Sequence, residues 1–105
     1  MKLLRIYKVI PGKETDLMAW GDRLMSDLHD EALETLKEEG VNYEVMKLFQ
    51  IGNEWYILAF VNSDYQIKET NMERELNKEH RRIYHGSRDA QIPLRNVYEL
   101  DTTAA

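Results

Sequence analysis

Residues 41–61 hold the pattern that most limits what this chain can fold into. Two apolar runs flank Gly52-Asn53, and glycine supplies the positive φ that a type II′ hairpin turn needs at its first central position. With a two-residue loop, Ile51 faces Glu54, Phe49 faces Tyr56 and Val45 faces Phe60. Side chains alternate along a strand. One face therefore carries Val45, Phe49, Tyr56, Leu58 and Phe60, and the other Met46, Leu48, Trp55, Ile57, Ala59 and Val61. A hairpin with one wet face alternates apolar with polar residues. This one is apolar on both sides, so both need cover. Trp55 and Tyr56 fall on opposite faces, and the register alone does not say which face meets what.

The rest of the chain must supply that cover. Residues 3–10 read as a strand, stopped by Pro11-Gly12. One long helix is expected over 13–40, with Glu14 and Asp16 early, Lys37 late and Gly40 as a left-handed cap. At about 100° per residue, Leu17, Leu24, Leu28 and Ala32 share a stripe flanked by Met18, Met25 and Leu36. Gly21 interrupts that stripe at a cost of roughly 1 kcal/mol relative to alanine. Close approach of helix to sheet is the expected reason, and room for a ligand the alternative. Ser63 and Gln66 are spaced as a capping box, so a second helix is expected from there to about residue 85. Its buried stripe is Tyr65, Met72, Leu76 and Ile83, and Gly86 is its stop. Residues 87–94 read as a polar loop, 95–100 as a last strand and 101–105 as a frayed tail.

This order makes the 105 residues one α+β domain of ferredoxin-like βαββαβ type, a four-stranded antiparallel sheet with two helices on one face. The other face is left bare, which predicts a homodimer stacked sheet to sheet, burying on the order of 2,000 Å². A formal charge of −5 argues against nucleic acid as partner. The absence of cysteine excludes disulfides and thiolate metal sites and fits a cytoplasmic location. No apolar run is long enough to span a membrane.

With these elements placed, the chain resembles the dimeric α+β barrel superfamily, which includes the antibiotic-biosynthesis monooxygenases and stress-response barrel domains. The resemblance rests on the strand ending in Pro11-Gly12-Lys13-Glu14, the long first helix and the aromatic strand at Trp55-Tyr56. It is similar in more detail to an uncharacterised bacterial family of about this length. That family shares the helix end Ala32-Leu33-Glu34-Thr35-Leu36 and a histidine in the second helix, here His80. The resemblance implies the fold and the dimer more than any reaction. The first strand lacks the asparagine of haem-degrading members, and the second helix lacks the paired tryptophans of rhamnose-mutarotase-like ones.

His80 is the leading candidate for chemistry, at the edge of the buried stripe of the second helix. Glu69 and Glu73 are expected on the same flank and Tyr84 one turn on. A histidine at a core boundary with a carboxylate nearby is a candidate acid–base group, so His80 and Glu73 are the candidate catalytic pair, with Glu69, Tyr84, Trp55 and Trp20 as candidate ligand contacts. The competing reading is a structural histidine and packed aromatics. His80 and His85 are five residues apart and cannot form an i, i+4 metal pair, so neither metal nor cofactor is expected. Two functions follow: binding or transformation of a small organic molecule in a helix–sheet cleft, or a non-catalytic dimeric binding or interaction module.

Overall fold

The computed structural model of the protein describes residues 1–103, so residues 104–105 of the expected tail lie outside the described residues. The strands are β1 (Lys2–Val9), β2 (Val41–Ile51), β3 (Glu54–Ser63) and β4 (Arg88–Ile92), and the helices α1 (Glu14–Leu24), α2 (His29–Glu39) and α3 (Glu75–Ser87). The four strands form one antiparallel sheet in the order β2-β3-β1-β4, the ferredoxin-like arrangement.

The hairpin has the expected register, with Ile51 opposite Glu54, Phe49 opposite Tyr56 and Val45 opposite Phe60. Gly52 has φ 61°, and no non-glycine residue among the described residues has positive φ, which is the type II′ signature. Ile57, with 0% exposure, anchors the helix-facing side of the sheet, where it clusters with Val9 and Leu17. Trp55, Leu48, Ala59, Ile83 and Tyr84 pack around that cluster. Trp55 thus faces the helices. Tyr56 faces the other way, stacked on Phe49 with ring centroids 5.2 Å apart.

Three expectations need correction. The first helix is broken, with exposed Met25, Ser26 and Asp27 between α1 and α2. Ser26 Oγ donates to Asp22 O at 2.6 Å, and the Leu28 N–H reaches back five residues to Arg23 O at 3.0 Å, so side-chain and long-range bonds displace the helical pattern. The break lets α2 turn, and Gly40 still caps it at φ 77° with its N–H directed at Leu36 O and Lys37 O.

The second helix begins only at Glu75. Ser63 is the last residue of β3, and its hydroxyl donates to Tyr65 O rather than capping a helix. Residues 64–74 lie instead along the end of α2. The Lys68 N–H donates to Glu39 O at 2.9 Å, Thr70 Oγ1 to Glu39 Oε1 at 2.7 Å, and Arg74 makes two 3.0 Å bonds to the Glu38 carboxylate. Arg74 also stands 3.6 Å from carboxylate oxygens of Glu31 and Glu34, one side of α2. These tertiary bonds outweigh the local preference for helix.

The last strand is Arg88–Ile92, not residues 95–100. It follows α3 without a loop and pairs with β1 through Val9–Arg88, Tyr7–Gln91 and Ile6–Ile92. Residues 95–100 form no strand. Their large apolar residues are open, Val97 at 93% and Leu100 at 85% exposure. Beyond them Asp101 stands 3.8 Å from Lys2, at the start of β1.

Candidate functional site

The strands' alternation puts Leu3, Arg5, Tyr7 and Val9 of β1, Glu44, Met46 and Leu48 of β2, and the odd-numbered residues of β3 on the helix side. Arg5 and Glu44 are charged residues on what should be a core surface. They are tolerated because the core does not fill the space above them. A groove of about 1070 Å³ opens between this half of the sheet and the three helices. Leu17, Trp20 and Gly21 of α1, Leu33 and Leu36 of α2, and Leu76, His80 and Tyr84 of α3 line it, over Ala59 and Trp55.

Gly21 belongs to this groove. A Cβ built there meets no atom within 4 Å, so close approach to the sheet is not its reason and the expectation of tight packing is corrected. Its backbone φ is not positive either. Space on the groove wall is what glycine leaves. Gly21→Ala should therefore raise unfolding stability by about 0.5–1 kcal/mol without a clash, measured by denaturant titration. A loss of stability would mean that the wall is tighter than it stands here.

His80 is held at this groove by α3 on one side and α1 on the other. Trp20, only 4% exposed, donates its indole N–H to His80 Nδ1 at 2.9 Å. The imidazole is parallel to the Tyr84 ring at a centroid distance of 5.8 Å. Tyr84 continues into a column in which the Arg88 guanidinium lies 4.7 Å from its centroid and 4.6 Å from that of Tyr7. Cation–π attraction and burial fix these rings in place.

This geometry sets the protonation state. Burial chiefly, and then the neighbouring His85, hold His80 below its ordinary value of 6.5. Protonation at Nδ1 would also set two donors face to face with Trp20. His80 is therefore neutral at pH 7, with Nδ1 occupied as acceptor and the proton on Nε2, which has no partner among the described residues. It presents a donor, not a base. Burial raises the Tyr84 hydroxyl above its ordinary range, against the opposing pull of Arg88. Glu44, although open to the groove, is also raised, by burial first and then by Glu39.

A pH dependence follows. The folded value of His80 lies below the unfolded one, as does that of His85, lowered mainly by burial. As pH falls below 6.5, the unfolded chain takes up protons that the folded chain refuses. Stability is then lost on acidification, by up to about 1.4 kcal/mol per pH unit for buried His80, with solvent-screened His85 adding little. Denaturant titrations from pH 7 to 5 should show this decline, with a shallower slope in His80→Gln.

Of the residues singled out in the sequence, His80, Trp20, Tyr84 and Trp55 meet at this groove. Glu69 and Glu73 do not. Both are exposed, in the segment before α3, so the flank expected to carry them beside His80 does not form. Arg5, Glu44 and Arg81 also line the groove. For Arg5 and Glu44 the signal was present as charge within a strand on its core-facing side. His29 and His85 also line the groove, yet no group of three or more potential ligands among the described residues could hold a metal. No helix is long and apolar enough to cross a membrane among the described residues.

Together the fold and groove define a small α+β protein with a ferredoxin-like sheet and an unfilled helix–sheet cleft. The chain belongs to a family of unknown function (DUF6176), whose model matches residues 1–103. No curated protein and no solved structure matches it.

Proposed function

We propose that the protein is a homodimer that binds a small organic molecule in the helix–sheet groove. The observation that carries this reading is an open groove of about 1070 Å³, with His80 fixed by Trp20 so that Nε2–H is free for a ligand acceptor. The apolar walls suit an apolar or aromatic body, and the His80 donor suits a carbonyl or carboxylate oxygen. Binding is favoured over acid–base catalysis because His80 is neutral, its Nδ1 is taken and no carboxylate pairs with it among the described residues. A cytoplasmic location, suggested by the absence of cysteine, belongs to the same reading.

The dimer is supported by the helix-free face of the sheet. Leu4, Ile6, Val45, Phe49, Tyr56, Leu58 and Phe60 share it by register, and no helix among the described residues covers it. A second copy is the occupant that fits, because two such faces stacked about a two-fold axis are self-complementary. The same feature supports placing the family in the dimeric α+β barrel superfamily.

A thermal-shift screen of small carboxylates, amides and aromatic acids tests the binding reading. A compound at a hundredfold excess over its Kd stabilises the folded state by about 2.7 kcal/mol. Hits should lose their effect in Gly21→Leu, which fills the groove wall, and weaken in His80→Ala. If every hit acts equally on the wild type and Gly21→Leu, the ligand sits elsewhere and the reading fails.

A further inference from the structure

A second cavity, a crevice of about 540 Å³, lies between α1 and α3. Asp16, Ala19, Trp20 and Arg23 put one face of α1 on it, and Arg82, Ile83, Gly86 and Ser87 one face of α3. Gly86 has no positive φ, and a Cβ there meets nothing within 4 Å. Neither backbone nor packing requires glycine at that position, and with Ala19 opposite it keeps the crevice open.

The charge is notable for a chain with a formal net charge of −5. Lys13, Arg23 and Arg82 line the crevice against a single carboxylate, Asp16. Asp16 stands 3.6 Å from Lys13, and Glu79, outside the lining, accepts from Arg82 Nε at 3.1 Å and from Arg82 Nη2, a two-bonded pair that an incoming anion must share or displace. All these side chains are in contact with solvent, where such exchange costs little for Lys13 and more for Arg82. Arg23 forms no ion pair within 4 Å among the described residues, although its charge, after that of Arg82, helps to hold the Glu79 carboxyl below its usual range. Its guanidinium lies 5.6 Å from the centroid of the Trp20 ring. The Ile10 N–H donates to Ser87 O at 2.8 Å, holding the end of α3 beside the start of α1. Helix ends of opposite sign adjoin there, leaving side-chain charge to decide the local field.

Ser87 adds an independent observation. It is 2% exposed and lines the crevice, and its hydroxyl makes no hydrogen bond among the described residues without being sealed from solvent, since Glu14 Oε2 is the one fully buried side-chain oxygen left unpaired among them. A ligand oxygen in the crevice can accept from that hydroxyl.

We propose that this crevice binds a tetrahedral oxyanion of the phosphate or sulfate class, held by Arg23 and Arg82 and completed by Lys13 and the Ser87 hydroxyl. Guanidinium forks match the oxygens of such anions in pairs. Four oxygens also engage this many donors better than a planar carboxylate does. Trp20 is the wall between the crevice and the groove, since it lines both and sends its N–H to His80. It therefore reports on the crevice whether or not the groove binds anything.

The test uses the two indole N–H signals of ¹⁵N-labelled protein, with that of Trp20 identified by its loss in Trp20→Phe. Inorganic phosphate is titrated at an ionic strength held constant with sodium chloride. The expected result is a saturable shift of the Trp20 signal, with the Trp55 signal unmoved. Arg23→Gln and Arg82→Gln should each weaken the affinity by about tenfold, and Ser87→Ala by a smaller factor. Both arginines are on the surface, so these variants should fold. Phenyl phosphate, run in parallel, binds more tightly if the natural ligand is an organic phosphate and no more tightly if it is the free anion. A linear drift that chloride alone reproduces, or a saturable shift unchanged in Arg23→Gln, would overturn the proposal.

Discussion

Leu4→Glu should sediment as a monomer at micromolar concentrations at which the unaltered chain should sediment as a dimer, with its far-UV circular dichroism unchanged. Leu4 sits on the helix-free face opposite Phe60 and is 49% exposed in the single chain, so a carboxylate there stays hydrated in the monomer. Stacking two sheets would bury that charge without a partner, at a cost of about 3–5 kcal/mol. That raises the dissociation constant by roughly a thousandfold. If Leu4→Glu and the wild type sediment alike, the helix-free face is not the interface.

Trp20→Ala is the second large effect. Trp20 is buried between α1 and α3, and removing so large a side chain costs about 3–5 kcal/mol. For a chain of this size the melting temperature then falls by more than about 10 °C. Trp20→Phe separates the ring from its N–H. It keeps most of the volume, so the loss of stability should be small, but Nδ1 of His80 becomes free to take a proton. The His80 titration, followed by NMR, should move back towards 6.5. An unmoved titration would reduce Trp20 to filler.

The legible part of the fold was the part governed by periodicity. The hairpin register, the two-sided apolar sheet and the Gly40 cap follow from alternation, from turn chemistry and from the one residue that takes a left-handed cap freely. What was hidden was settled by tertiary competition. Nothing local says that Glu39 will accept from Lys68 and Thr70, or that Arg74 will bind Glu38, and those bonds keep residues 64–74 out of the helix. Likewise Arg88–Ile92 is a polar edge strand, paired on one side only, whose alternation is masked by the solvent it faces. Residues 95–100 alternate better but pair with no strand among the described residues.

The candidate site divides the same way. His80 and Tyr84, four residues apart, share a helix face that spacing alone reveals. Trp20 reaches His80 from sixty residues away, and only the packing of α1 on α3 brings the indole N–H to Nδ1. That contact changes the chemical reading from a poised base to a neutral donor. Gly21 marked the groove in the sequence, but its meaning depended on whether anything stood against it.

The most direct test of the groove is an intermolecular nuclear Overhauser measurement on the wild-type protein with the strongest thermal-shift compound bound. The predicted result is contacts from the compound to the ring protons of His80, Tyr84 and Trp55, which share the groove on the helix side of the sheet. Contacts confined to Phe49, Tyr56 and Phe60 on the opposite face would contradict it.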